Sequence, residues 1–112
     1  MYSKELLKGT LSTIILKLLA NHGKMYGYEI TQRVKILSDD KILIKEGSLY
    51  PALHKLKDDG LVQTEKEMIG NRVRKYYSLT DKGIASTQEK VNELDQFIAT
   101  VQQILMAKPE AS

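Results

Sequence analysis

The sequence predicts a mainly α-helical α+β fold, with one small β-hairpin set among helices and a long helix closing the chain. Three features predict it. Leu49, Leu53 and Leu56 recur at helical spacing, two strand-like runs flank Gly70-Asn71, and Ile84, Val91, Ile98 and Leu105 repeat every seven residues with Thr87, Leu94 and Val101 interleaved. At 112 residues the chain is one small domain, marginal in the core it can bury alone, so pairing of two copies is an attractive way to gain buried area.

A first helix is expected from about Ser3 to Asn21, with Leu7, Leu11, Ile14, Ile15 and Leu18 on one stripe and His22-Gly23 ending it. A second, from about Tyr26 to Leu37, would bury Tyr26, Ile30 and Val34, with Gly27 leaving room for a neighbouring backbone. Ser38-Asp39-Asp40 punctuates the chain, and the apolar run Ile42-Leu43-Ile44 reads as a minor strand pairing with the hairpin. Ser48 is the expected N-cap of a third helix, because its hydroxyl can accept a backbone N–H. Pro51 then falls in the first turn, where its missing donor leaves no bond unmade, and Gly60 terminates the helix.

Strands from Leu61 to Ile69 and from Arg72 to Leu79 follow, joined by a two-residue turn that tolerates positive φ. Such a turn sets the register: Ile69 pairs with Arg72, and Glu67 stands opposite Arg74. Val62, Thr64, Met68, Val73, Tyr77 and Leu79 then share the expected core face, while Arg72, Arg74 and Tyr76 project from the other. Lys66 and Lys75 reach past the core edge near the tip. Thr80 is the expected N-cap of the final helix, which runs to about Ala107. Its heptad stripe, widened by Phe97 and Ile104, reads as a dimerisation seam of coiled-coil type; the alternative is a helix folded back on the first helix of its own chain.

With the leucines of the third helix buried, Tyr50, His54 and Lys57 line one exposed flank, and Ser48 and Lys55 the other. Hydroxyls, an imidazole and cations suit phosphate oxygens and base edges. Followed by a cationic hairpin tip, such a helix reads as a recognition helix with its wing.

Leu7-Lys-Gly-Thr-Leu11, Tyr26-Gly-Tyr-Glu-Ile30, Gly47-Ser-Leu-Tyr-Pro-Ala-Leu53 and Arg74-Lys-Tyr-Tyr-Ser-Leu-Thr80, in this order and at these separations, make the chain resemble the PadR-like family of bacterial transcriptional regulators. The resemblance covers nearly the whole length. It implies a winged helix-turn-helix with a long C-terminal dimerisation helix, acting as a homodimer on double-stranded DNA. It also implies DNA contacts by Tyr26, by Ser48, Tyr50, Pro51 and Lys55, and by the wing from Gly70 and Asn71 through Arg72 to Arg74; His54 and Lys57 join them as neighbours on the helix face. The division expected is residues 1–80 as the DNA-binding domain, 81–107 as the dimerisation helix and 108–112 as a disordered tail. Leu7 and Leu11 join Ile84, Val91, Leu94, Ile98, Val101 and Leu105 as candidate dimerisation residues. Repression at a palindromic operator is the commoner outcome in the family. Some relatives bind flat aromatic or drug-like compounds at the dimer interface against a tryptophan; this chain has no tryptophan, and Phe97 is the candidate to stack on a small aromatic effector.

Composition argues against other classes. There are no cysteines, so disulfides and thiolate chemistry are excluded. His22 and His54, the only histidines, offer neither a metal cluster nor a nucleophile with its base, and no phosphate-binding glycine loop is present; no enzyme activity and no cofactor are expected. The N-terminus lacks signal-peptide shape, and Lys8 and Lys17 interrupt the first apolar helix far short of a membrane span, so a cytoplasmic location is expected. Net charge is +3: residues 1–40 carry +2, residues 41–83 carry +3 and residues 84–112 carry −2, so positive charge avoids the last helix. A protein-interaction module built on the same fold is the competing expectation.

Overall fold

The computed structural model describes residues 2–110. Among these residues are five helices, α1 (Lys4–Lys8), α2 (Leu11–His22), α3 (Gly27–Leu37), α4 (Glu46–Asp58) and α5 (Asp81–Leu105), and an antiparallel sheet of β1 (Met25–Tyr26), β2 (Val62–Ile69) and β3 (Arg72–Leu79) in the order β1-β3-β2. Ile15, Leu16 and Ile30 are fully buried at the centre, with Leu49, Leu53 and Leu56 of α4 and Val62 and Tyr77 of the sheet packed around them.

The expected first helix is broken in two at Gly9-Thr10. The Leu7 carbonyl that a continuous helix would give to the Leu11 N–H is taken by the Thr10 N–H at 3.0 Å and also by the Thr10 hydroxyl at 3.1 Å. The Thr10 carbonyl then accepts the Ile14 N–H and opens α2.

Residues 42–44 form no strand. The position beside β3 is filled by β1, with Met25 paired to Tyr77 and Tyr26 to Tyr76. Meanwhile the Ser38 hydroxyl accepts the Ile42 N–H at 2.9 Å, and Ile44 packs into the core. Tyr26 is accordingly not a buried helical residue. It is the extended, half-buried N-cap of α3, its N–H donating to Glu29 Oε1 at 3.1 Å.

Helix α4 begins earlier than expected, with Lys45 as its N-cap. Both the Ser48 and the Leu49 N–H groups donate to the Lys45 carbonyl, which places Ser48 inside the first turn and Pro51 within the helix. The donor that proline lacks would have gone to the carbonyl of Gly47, an exposed residue that water can serve instead.

The hairpin register is the expected one, Ile69 with Arg72 and Glu67 with Arg74, and Gly70 takes the positive φ of the turn (62°). Its expected core face is buried only at the base: Val62 and Tyr77 are enclosed, whereas Met68 is 66% and Val73 60% exposed, because the distal half extends past the helices.

Thr80 ties the hairpin to α5. Its hydroxyl accepts the Gly83 N–H at 3.0 Å, capping the helix as expected, and donates to the Gly60 carbonyl at 2.6 Å. Gly83 lies against the Leu61 carbonyl so closely that no Cβ fits, and its own carbonyl accepts the Thr87 hydroxyl at 2.7 Å. From this anchor α5 runs about 37 Å, roughly twice the length of α2, on which it packs. Thr87 is buried and Val91, Leu94 and Val101 half-buried, whereas Ile84, Phe97, Ile98, Ile104 and Leu105 are 55–74% exposed. The helix ends at Leu105, two residues short of Ala107; Lys108 to Glu110 have no regular structure, and the remainder of the expected tail, Ala111 and Ser112, lies outside the described residues.

Replacing Gly83 by Ala tests this anchor. Alanine gains about 1 kcal/mol of helix propensity but drives a methyl into backbone, an overpacking cost of about 1–3 kcal/mol. Gly83→Ala is expected to lower the melting temperature by several degrees in calorimetry; an unchanged or raised value would show that the contact is slack.

Candidate nucleic-acid interface

A groove runs between the start of α3, helix α4 and the hairpin, lined by Tyr26, Gly27, Tyr28, Tyr50 and β3 from Arg72 to Lys75. Gly27 is buried because the Tyr50 phenol lies on it: a Cβ there would stand 2.5 Å from Tyr50 Oη. The close neighbour expected at Gly27 is therefore a side chain, not a backbone. Tyr28, 64% exposed, was not among the sequence-derived candidates; its signal is its position beside Gly27, in the segment that opens α3.

Along the outer surface of α4, Pro51, His54, Lys55 and Lys57 are exposed and Ser48 is half-buried. His54 Nε2 sits 3.3 Å from Asp58 and Lys55 Nζ 3.5 Å from Asp59, both one turn apart on the same helix and largely solvated. Exposed pairs of this kind contribute at most a few tenths of a kcal/mol and yield to a competing anion. Lys57 and, at the hairpin tip beside Gly70 and Asn71, Arg72 form no ion pair among the described residues.

The outward face of the hairpin divides in two. At its tip Arg72 is exposed. Below it, Arg74 is half-buried with its guanidinium 4.0 Å from the centroid of the Tyr26 ring, Tyr26 meets Tyr76 edge-on at 5.6 Å, and Lys24 Nζ stands 5.1 Å from the Tyr76 centroid. Lys24 also bonds Glu67 and, at 3.1 Å, Glu65, and these carboxylates hold its ammonium above the usual lysine pKa, Glu67 contributing most. The Tyr76 hydroxyl, first among its neighbours, pushes the Arg74 pKa up as well. Tyr77, on the opposite face, has its phenol pKa raised mainly by burial. Arg72, Arg74 and Tyr76 share the outward face as expected, and of the three only Arg72 is free of the ring system.

Of the candidate dimerisation residues, Leu11 is only 5% exposed, enclosed in the core of its own chain, and Leu7 packs half-buried against it; the exposed apolar side chains of this region are Tyr2 and Leu6. Among the described residues no three His, Cys, Asp or Glu side chains gather as a metal site, and no helix is long and apolar enough to cross a membrane.

Residues 15–89 match the family model of the transcriptional regulator PadR-like family. The transcriptional regulator Rv3488 of Mycobacterium tuberculosis is 32% identical over 82 residues, covering 73% of this chain and 74% of that protein. A transcriptional regulator from Clostridium thermocellum superposes with a TM-score of 0.82 at 30% identity, over 96% of this chain and 100% of the other. A PadR family transcriptional regulator from Eggerthella lenta gives 0.77 at 31% identity, over 93% and 88%. These relatives are regulators, not enzymes, and with the family model spanning most of its length this chain belongs to the PadR-like family of transcriptional regulators.

Proposed function

We propose that the protein binds double-stranded DNA as a homodimer, with α4 in the major groove and the hairpin tip on the adjacent backbone. The observation that carries this is the groove in which Tyr28, Tyr50, Arg72 and Lys75 from three elements border the uncovered face of α4. Aromatic hydroxyls can donate to phosphates or base edges, while Lys55, Lys57 and Arg72 supply exposed charge beside them. Tyr26 lines the same groove, Gly70 and Asn71 form the hairpin turn beside Arg72, and His54 stands exposed on α4, whereas Ser48 and Pro51 lie on the side of α4 that faces α1, beside Lys4 and Leu7. A two-fold dimer would set two α4 helices about 34–36 Å apart and read a palindromic operator. Repression is the simplest output, since occupying a promoter excludes polymerase with no further contact.

Replacing Lys55, Lys57 and Arg72 together by Gln is expected to weaken binding to a palindromic duplex and to flatten the salt dependence, by about 0.9 in log–log slope for each phosphate that the variant no longer neutralises. Undiminished affinity in the triple variant, measured by fluorescence anisotropy over a salt series, would sink the DNA assignment.

The dimer is proposed to form along α5, where Ile84, Ile98, Ile104 and Leu105 stand uncovered. Because Ile98 and Leu105 are exposed, Ile98→Glu with Leu105→Glu should leave each chain folded while converting dimer to monomer in analytical ultracentrifugation. A variant that remains dimeric places the interface elsewhere.

Phe97, 63% exposed beside Ile98, is the proposed stacking platform for an aromatic effector that changes the spacing of the two heads. An aromatic compound found to release the wild-type protein from its operator should lose that effect in Phe97→Ala; release that persists in the variant rules Phe97 out.

A further inference from the structure

We propose that Arg74 governs DNA affinity as a positioning residue, by clamping the hairpin to the start of α3, and not by neutralising a phosphate. The inference rests on the DNA-binding assignment above.

The register puts Glu67 directly opposite Arg74, and the ordinary outcome would be an ion pair between them. Instead Lys24, from the segment before β1, takes the Glu67 carboxylate and also bonds Glu65. Arg74 is left to lie over the Tyr26 ring at 4.0 Å, and Tyr26 in turn meets Tyr76 edge-on. Across the β1–β3 pair the order is cation, ring, ring, cation: Lys24, Tyr76, Tyr26, Arg74. Each contact is diagonal or directly cross-strand, so the arrangement locks β1 to β3 through side chains as well as through its short backbone ladder.

Two features set Arg74 apart from Arg72. It is half-buried where Arg72 is exposed, and the carboxylate that acts on it, Glu29 in the first turn of α3, would oppose a phosphate brought to that face. Its mechanical connection is direct. Tyr26 is the N-cap of α3, the next residue is Gly27, and Gly27 carries the Tyr50 phenol of α4. The path Arg74, Tyr26, Gly27, Tyr50 therefore runs from the wing to the recognition helix through packed groups, and it fixes the separation at which both can meet one DNA segment.

The test uses a duplex selected by the full-length wild-type protein from a randomised pool, with affinities measured over a salt series at a temperature where circular dichroism shows each variant folded. Arg74→Gln is expected to bind about tenfold more weakly with an unchanged salt slope. Arg74→Lys, which keeps the charge and loses the flat stacking surface, should also lose several-fold. Tyr26→Leu should match the loss in Arg74→Gln, the double variant should lose no more than either, and Tyr26→Phe, which restores the ring, should recover most of the affinity. A slope shallower by about one unit in Arg74→Gln, wild-type affinity in Arg74→Lys, or losses that multiply in the double variant would each overturn the proposal. Failure of the wild-type protein to bind any duplex removes the DNA-binding assignment and this inference together, and is distinguished by being seen before any variant is compared.

Discussion

The close approach of Gly83 to the Leu61 carbonyl is the contact on which the rest of the architecture depends. Leu61 follows the end of α4 and precedes β2, its N–H donates to Leu56, and its carbonyl accepts the Thr80 N–H at the exit of the hairpin. Four elements thus meet within one hydrogen-bonded knot: the end of α4, both ends of the hairpin, and the start of α5. Thr80 closes it by donating to Gly60 and accepting from Gly83, while Lys82 Nζ reaches the Asp59 carbonyl at 2.9 Å. The need for rigidity here is one of leverage. A tilt of about 10° at the knot would move the far end of a helix about 37 Å long by roughly 6 Å, more than one helical pitch. A Cβ at position 83 would meet that carbonyl, so the helix or the junction would have to shift to make room.

Electrostatics divides the hairpin in the same economical way. The net charge of +3 is small for a DNA-binding chain, and the distribution decides what it can do. On the outward face, Lys24, Glu65, Glu67 and Arg74 are engaged with one another and with two tyrosine rings, so that their charge organises the sheet. Arg72 at the tip, and the paired Lys66 and Lys75 of the opposite face, remain exposed. The cations that hold the wing and the cations that can meet a phosphate are therefore different residues, although the sequence intersperses them.

What could be read from the sequence is what local rules determine. A two-residue turn with Gly70 dictates the hairpin register whatever the surroundings, and the leucine stripe of α4 and the Thr80 cap follow from spacing and side-chain chemistry alone. The misses share a different cause. The break at Thr10 turns on which of two donors takes one carbonyl, a competition that an unbroken apolar stripe conceals. Strand β1 has two residues, too few to show alternation, and it forms only because β3 offers it an edge. The start of α4 shifted because the Lys45 carbonyl, not the Ser48 hydroxyl, organises the first turn. The role of Arg74 was the least legible, since it depends on Lys24, 43 residues from Glu67 in sequence, removing the partner that the register had assigned to it.

The heptad stripe of α5 shows the same dependence on distant neighbours. In a two-stranded coiled coil both sets of seam positions face the same partner. Here they are treated unevenly: Thr87 is buried and Val91, Leu94 and Val101 are half-buried, whereas Ile84, Ile98 and Leu105 stand outward. The packing of α5 on α2 accounts for its proximal part, and α2 is too short to follow it further. One stripe therefore serves two surfaces, an inner one that is part of the winged domain and an outer one that the domain leaves bare. Because both lie on a single helix seated on Leu61, any body that covers the outer surface is mechanically coupled to the orientation of the head. A second copy of α5 placed there would set the separation of two α4 helices directly, with no flexible linker between the contact that joins the protomers and the contact that reads DNA.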